Sequence, residues 1–86
     1  MLFEVLKEGL FWAAWGRPSE VMPFLRGKLL NNGYNDKAKQ ELQWLLNQLE
    51  AYYNYVASKN SVEEKHLQAM KSFYREILTV LSLDRA

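Results

Sequence analysis

Cysteine is absent from this chain of 86 residues. That excludes disulfide frameworks, thiolate metal sites and thiol catalysis. Histidine occurs once, at His66, so with no cysteine the options for a catalytic constellation are few. Isoleucine also occurs once, valine is sparse, and no alternating apolar run exceeds a few residues. A strand signal is therefore missing. The four glycines are scattered at 9, 16, 27 and 33, so no glycine-rich phosphate loop is present. Charge of one sign is lacking too. Lys plus Arg is 11 and Asp plus Glu is 10, a net charge of +1. Neither a nucleic-acid-coating protein nor an acidic mimic of DNA has that balance. Nor is there a long apolar run. The stretch MLFEVLKEGLFWAAW is broken by Glu4, Lys7 and Glu8. It lacks the basic start and uninterrupted apolar stretch of a signal peptide, and it is too short and too charged to span a bilayer. With one Lys it also lacks the basic face of a membrane-surface helix. A cytoplasmic location without membrane association is the expectation.

Apolar and aromatic residues are abundant. Hydrophobic residues make up 49% of the chain and aromatics 14%. A domain this small buries only roughly 60 to 65% of its unfolded-chain surface. Part of the load is therefore expected to stay outside, or to be covered by another copy or another protein. Without cross-links, stability rests on the core, which also favours an oligomer.

Apolar residues recur at spacings of three and four, the helical period. The first helix is predicted over about residues 2 to 15, with Leu2, Leu6, Leu10 and Ala13 as its stripe. Gly16 is placed to end it, and Pro18 cannot continue it. A second, short helix starts either at Pro18 or Ser19, or at Pro23 with Met22 as cap, and ends at NNG with Gly33 as a left-handed cap. Gly27 inside it either weakens the helix or permits close packing. The third helix is capped by Asn35 or Asp36 and runs to about Ala57. Its seam of Ala38, Leu42, Leu45, Leu49, Tyr52 and Val56 is spaced 4-3-4-3-4. Ser61 with Glu64 reads as a capping box for a fourth helix, to about Ser82. Only about four residues join the last two helices, so they should form an antiparallel hairpin. The predicted fold is all-α: a small helical bundle of three long helices plus one short proline-containing helix. It is built on the C-terminal hairpin and spans residues 1–86 as one domain.

Tyr52, Tyr53 and Tyr55 cannot share one helix face, since each residue advances about 100°. Tyr52 belongs to the seam. Tyr53 falls at a shoulder beside Leu42 and Leu46. Tyr55 joins Trp44, Gln48 and Ala51 in a second stripe spaced 4-3-4. The third helix thus has two apolar directions. Phe11 and Trp15 pose a similar problem, because they stand on the side of the first helix that carries Glu4 and Glu8. Two readings are open. Either the Trp44 stripe packs under the first or second helix and residues 16–34 cover Phe11 and Trp15, or at least one set is an interface. Interface cores favour these residue types.

Chemistry has few candidates. Glu63 and His66 have the i, i+3 spacing of one di-iron motif, which requires a second such motif and two more carboxylates. Both Glu63 and Glu64 also suit a first helical turn. No catalytic residue, metal site or cofactor is expected. The leading expectation is a non-enzymatic protein–protein interaction module: a regulator, inhibitor, adaptor or assembly chaperone. Phe11, Trp15, Trp44 and Tyr55 would be its anchors for another protein, and a homodimer its form. Gly16-Arg17-Pro18 could act as a hinge if the first helix swaps between copies. The alternative is helix-turn-helix-like nucleic-acid binding through the basic turn at residues 26–39, with Arg26, Lys28, Tyr34, Lys37 and Lys39 as contacts.

Overall fold

Helical spacing dominates the sequence, and the computed structural model follows it. Residues 2–17, 20–31 and 34–83 are described. Among them lie four helices and no strand: α1 Leu2–Ala14, α2 Met22–Leu30, α3 Asp36–Lys59 and α4 Glu64–Leu83.

The helix ends have local causes. Beyond α1, Gly16 adopts φ +89°, a conformation that a side chain would strain. Its N–H donates to the Ala13 carbonyl at 2.9 Å and the Arg17 N–H to the Trp12 carbonyl at 2.8 Å. These two reversed bonds satisfy carbonyls that the helix end leaves open. In α2, Pro23 sits in the first turn behind Val21 at the cap position. The later of the two predicted starts therefore holds, shifted by one residue. Pro18, read from the sequence as a helix start and as part of a hinge, Ser19, read as a helix start, and Gly33, read as a cap, lie outside the described residues. Gly27 faces open space, so it weakens α2 without permitting any close packing.

Asn35 caps α3, its side-chain oxygen accepting from the Ala38 N–H at 2.8 Å. Asn35→Ala should lower stability by about 1 kcal/mol, read as a shifted denaturant midpoint at unchanged slope. At the other end α3 continues two residues past the predicted Ala57. Asn60 closes it in the left-handed region, φ 56°, which asparagine tolerates better than most residues. Helix α4 begins at Glu64, so the cap position falls on Glu63 rather than on Ser61.

Helices α3 and α4 form the antiparallel hairpin. Helix α1 lies across both, and α2 packs on α3. Along the predicted seam, Ala38, Leu42, Leu45, Leu49 and Val56 are buried, and Tyr52 is half-buried. They meet Leu6, Leu10 and Ala13 from α1, Leu25 from α2, and Met70 and Ile77 from α4.

Tyr53 is deeper than its shoulder position implied. It is fully buried, and its hydroxyl donates to the Leu6 carbonyl at 2.8 Å. Helix α1 covers that shoulder, and Gly9 lets the ring approach the α1 backbone. Burial pushes the phenol well above its ordinary range. On the α2 side, Arg26 Nη2 donates to Glu50 Oε1 at 2.8 Å and to Asn47 Oδ1 at 2.9 Å. That pair ties α2 to α3.

Candidate interaction surfaces

The core closes without the four aromatics singled out from the sequence. Trp15 is 83% exposed, Trp44 60%, Phe11 52% and Tyr55 42%. Of the two readings left open above, the one in which neighbouring segments cover these side chains is therefore not realised. They fall in two places rather than one.

The first is the outer face of α1. Phe11, Trp12 and Trp15 line an open hollow of about 430 Å³. Leu6, Leu10 and Ala13 take the inner face of α1 into the core, and a 100° advance per residue leaves Phe11, Trp12 and Trp15 pointing away from it. Arg17 lies over the Trp12 ring at 5.8 Å, and the Trp12 indole N–H donates to Glu8 Oε1 at 3.5 Å. These contacts steady the patch.

The second lies on the face of the α3–α4 hairpin turned away from α1. An open, mostly apolar groove of about 480 Å³ runs between the helices, with Glu41, Trp44 and Leu45 on one wall and Arg75, Glu76 and Val80 on the other. Tyr55 stands on the same face of α3, about 16 Å further along. Its ring packs against Tyr52 at 5.8 Å and His66 at 6.0 Å. Tyr52 in turn meets Phe73 at 6.1 Å.

His66 is fully buried beneath this cluster. Its Nδ1 shares a 2.7 Å hydrogen bond with the Tyr52 hydroxyl. Nε2 is buried with no hydrogen-bond partner and lies 3.7 Å from Glu63 Oε2. The Tyr52 phenol is pushed up, by burial first and then by Tyr55 and Glu63, against the pull of Lys65. Glu63 also holds Lys65 at 3.2 Å. His66 is fully buried, and its hydrogen bond to Tyr52 ties α4 to α3 at the hairpin end. Among the described residues no group of three or more His, Asp or Glu is placed to hold a metal ion, and no helix is long and apolar enough to cross a membrane.

The residues of the basic turn each have their own setting. Arg26 is engaged by Glu50 and Asn47. Tyr34 packs against the core. Lys28 lies over the Phe24 ring at 5.7 Å. Lys37 borders a shallow hollow beside Glu41, and Lys39 is half-buried.

Sequence reasoning missed Trp12, Phe24 and Leu78, all exposed. Trp12 had a signal. It stands two positions past Leu10, about 200° from the core stripe. Phe24 precedes the buried Leu25 in a helix too short to show a clear face. Compared with protein-family models, curated proteins and solved structures, the chain matches none.

Proposed function

We propose that this chain is a small non-enzymatic protein–protein interaction module of the cytoplasm: a regulator, inhibitor, adaptor or assembly chaperone that acts through exposed aromatic helix faces as a homo-oligomer. One observation carries the reading. A closed core of leucines, Met70, Ile77 and Tyr53 coexists with Trp15, Trp44, Phe11 and Tyr55 in solvent. Isolated exposed apolar residues are ordinary, but clustered aromatics beside apolar hollows are the usual composition of an interface centre.

Nucleic-acid binding through the basic turn has weaker support. Arg26 is held within the fold by Glu50, and the net charge is only +1.

The test is affinity capture from extracts of the cells that make the chain. Wild type is compared with Phe11→Ser/Trp15→Ser and with Trp44→Ala. Surface substitutions of this kind should leave thermal unfolding within about 0.5 kcal/mol of wild type. Loss of a captured or self-associated protein with either variant is the expected result. A chain that captures nothing and stays monomeric at millimolar concentration would overturn the reading.

A further inference from the structure

We propose that the face of the α3–α4 hairpin turned away from α1 seats a second copy of this chain, docked antiparallel about a two-fold axis, with Tyr55 of each copy entering the Trp44 groove of the other. The proposal rests on the interaction-module reading and names one of its partners.

The periodicity of that face points to helices. Behind its buried seam, α3 carries Trp44, Gln48, Ala51 and Tyr55 at 4-3-4 spacing. Helix α4 carries Ala69, Phe73, Glu76 and Val80 at the same 4-3-4 spacing. Two adjacent helices with matched seams on one side are built to receive helices, knob into hole. The small Ala51 and Ala69 allow close approach at the middle of the face.

Symmetry selects the occupant. Trp44 and Tyr55 stand at equal distances on either side of the midpoint between Gln48 and Ala51. One end of the face is a hole, the groove walled by Trp44, Leu45 and Val80. The other end is a knob, the Tyr55 ring. Reversing the helix direction about a two-fold axis at the midpoint brings each knob over the other copy's hole. An isologous dimer requires that self-complementarity. The knob is pre-organised, because Tyr52 and His66 hold the ring. Little side-chain freedom is then lost on docking.

Charge favours the same direction. The groove end carries Glu41 and Glu76 together with Arg75, a net negative charge. Lys59, over the Tyr55 ring at 5.4 Å, marks the other end, where Lys65 is already paired with Glu63 at 3.2 Å. Glu41 and Lys59 are nearly symmetric about the midpoint. An antiparallel copy sets Glu41 against Lys59 of the other copy, whereas a parallel copy would set Glu41 against Glu41.

The area is adequate. The 24-residue α3 is about 36 Å long, and two helices side by side are roughly 20 Å wide, giving about 700 Å² per copy. Stable complexes bury about 800 Å² per partner. The α1 patch stays outside this contact, free for a different protein.

Sedimentation equilibrium of the full chain tests the proposal, with circular dichroism as the check on folding. Wild type should dimerise at micromolar concentration. Trp44→Ala removes two symmetric anchors and should weaken the dimer about a thousandfold while helicity is unchanged. Glu41→Lys and Lys59→Glu should each weaken it roughly tenfold, and the double reversal should restore it. Phe11→Ser/Trp15→Ser should dimerise as wild type does.

A double reversal no tighter than the singles would overturn the antiparallel register. A dimer lost with Phe11→Ser/Trp15→Ser but kept with Trp44→Ala would overturn the face. A chain that is monomeric up to millimolar concentration would overturn the dimer altogether. If that monomer still captured a foreign protein through Trp44, the interaction-module reading would stand without it.

Discussion

Tyr53→Ala should leave a chain with little cooperative structure at room temperature. Tyr53 is the largest fully buried side chain, and it joins α3 to α1 through its ring and its 2.8 Å bond to the Leu6 carbonyl. Truncating a buried aromatic of this size costs about 3 to 5 kcal/mol. Loss of the hydrogen bond adds roughly 0.5 to 1.5 kcal/mol. At roughly 0.05 to 0.15 kcal/mol per residue, a domain of 86 residues holds about 4 to 13 kcal/mol in total, so this loss removes a large share or all of it, and no disulfide adds to the total. Far-ultraviolet circular dichroism at 25 °C should therefore show most of the helical signal gone. Tyr53→Phe should keep the fold and lose only about 1 kcal/mol.

The phenol also predicts how stability responds to alkali. Burial favours its neutral form in the folded chain, so the folded value lies above the ordinary 10.0. Above pH 10 the unfolded chain sheds this proton while the folded chain keeps it. The unfolded state then binds fewer protons, and stability falls as pH rises, by up to about 1.4 kcal/mol per pH unit. Below pH 10 the contribution is fully present. Tyr52 and Lys65 shift in the same direction, and both tilt the profile the same way. Tyr53→Phe should accordingly be less stable than wild type at neutral pH, yet show a flatter, though not flat, decline above pH 10. Denaturant midpoints measured from neutral pH into the alkaline range would show the two curves converging. Parallel curves would mean that Tyr53 ionises as readily in the folded chain as in the unfolded one.

The helices and the hairpin were legible because each rests on local rules. The Leu42, Leu45, Leu49 and Val56 spacing, the Asn35 cap and the Gly16 stop act within a turn or two of chain. Tyr53 was not placed correctly for a geometric reason. A single helix projection gives its angle, beside Leu42 and Leu46, but not which angles a third helix will cover. Helix α1 covers that shoulder, so the shoulder became core and Tyr52, on the seam itself, became half-exposed. The second stripe shows the same limit from the other side. Trp44 and Tyr55 were readable as an apolar direction, and their exposure depended on where residues 16–34 would pass. Helix α2 went to the Arg26–Glu50 side of α3, which left the Trp44 side uncovered. Arg26 looked like a free cation of a basic turn because its partners, Asn47 and Glu50, lie more than twenty positions away in sequence.

Gly9→Val should destabilise the fold nearly as much as removing Tyr53, by about 3 kcal/mol. Gly9 is buried where α1 crosses α3. A Cβ there would lie 2.5 Å from Tyr53 Cζ and closer still to its oxygen. The ring cannot retreat. It is enclosed on all sides, and its hydroxyl is fixed to Leu6, less than one turn earlier on the same helix. Overpacking a closed core costs about 1 to 3 kcal/mol and occasionally more, and valine adds two further methyls to the clash. Gly9→Ala should be milder. Its gain of about 1 kcal/mol in helix propensity partly offsets the strain, leaving a net loss of about 1 kcal/mol. The cause can be isolated by a double-mutant cycle. In a Tyr53→Phe background the closest clashing atom and the bond that pins the ring are gone, while Cζ and Cε2 still lie 2.5 and 2.9 Å from the added Cβ, so Gly9→Ala should cost less than in wild type without becoming favourable, with a coupling of about 0.5 to 1 kcal/mol between the two sites. Zero coupling would mean that α1 and α3 can separate to admit the methyl, and that Gly9 does not set their approach. A positive result ties the glycine and the tyrosine into one device: the missing side chain on α1 is the space into which α3 places its largest buried ring.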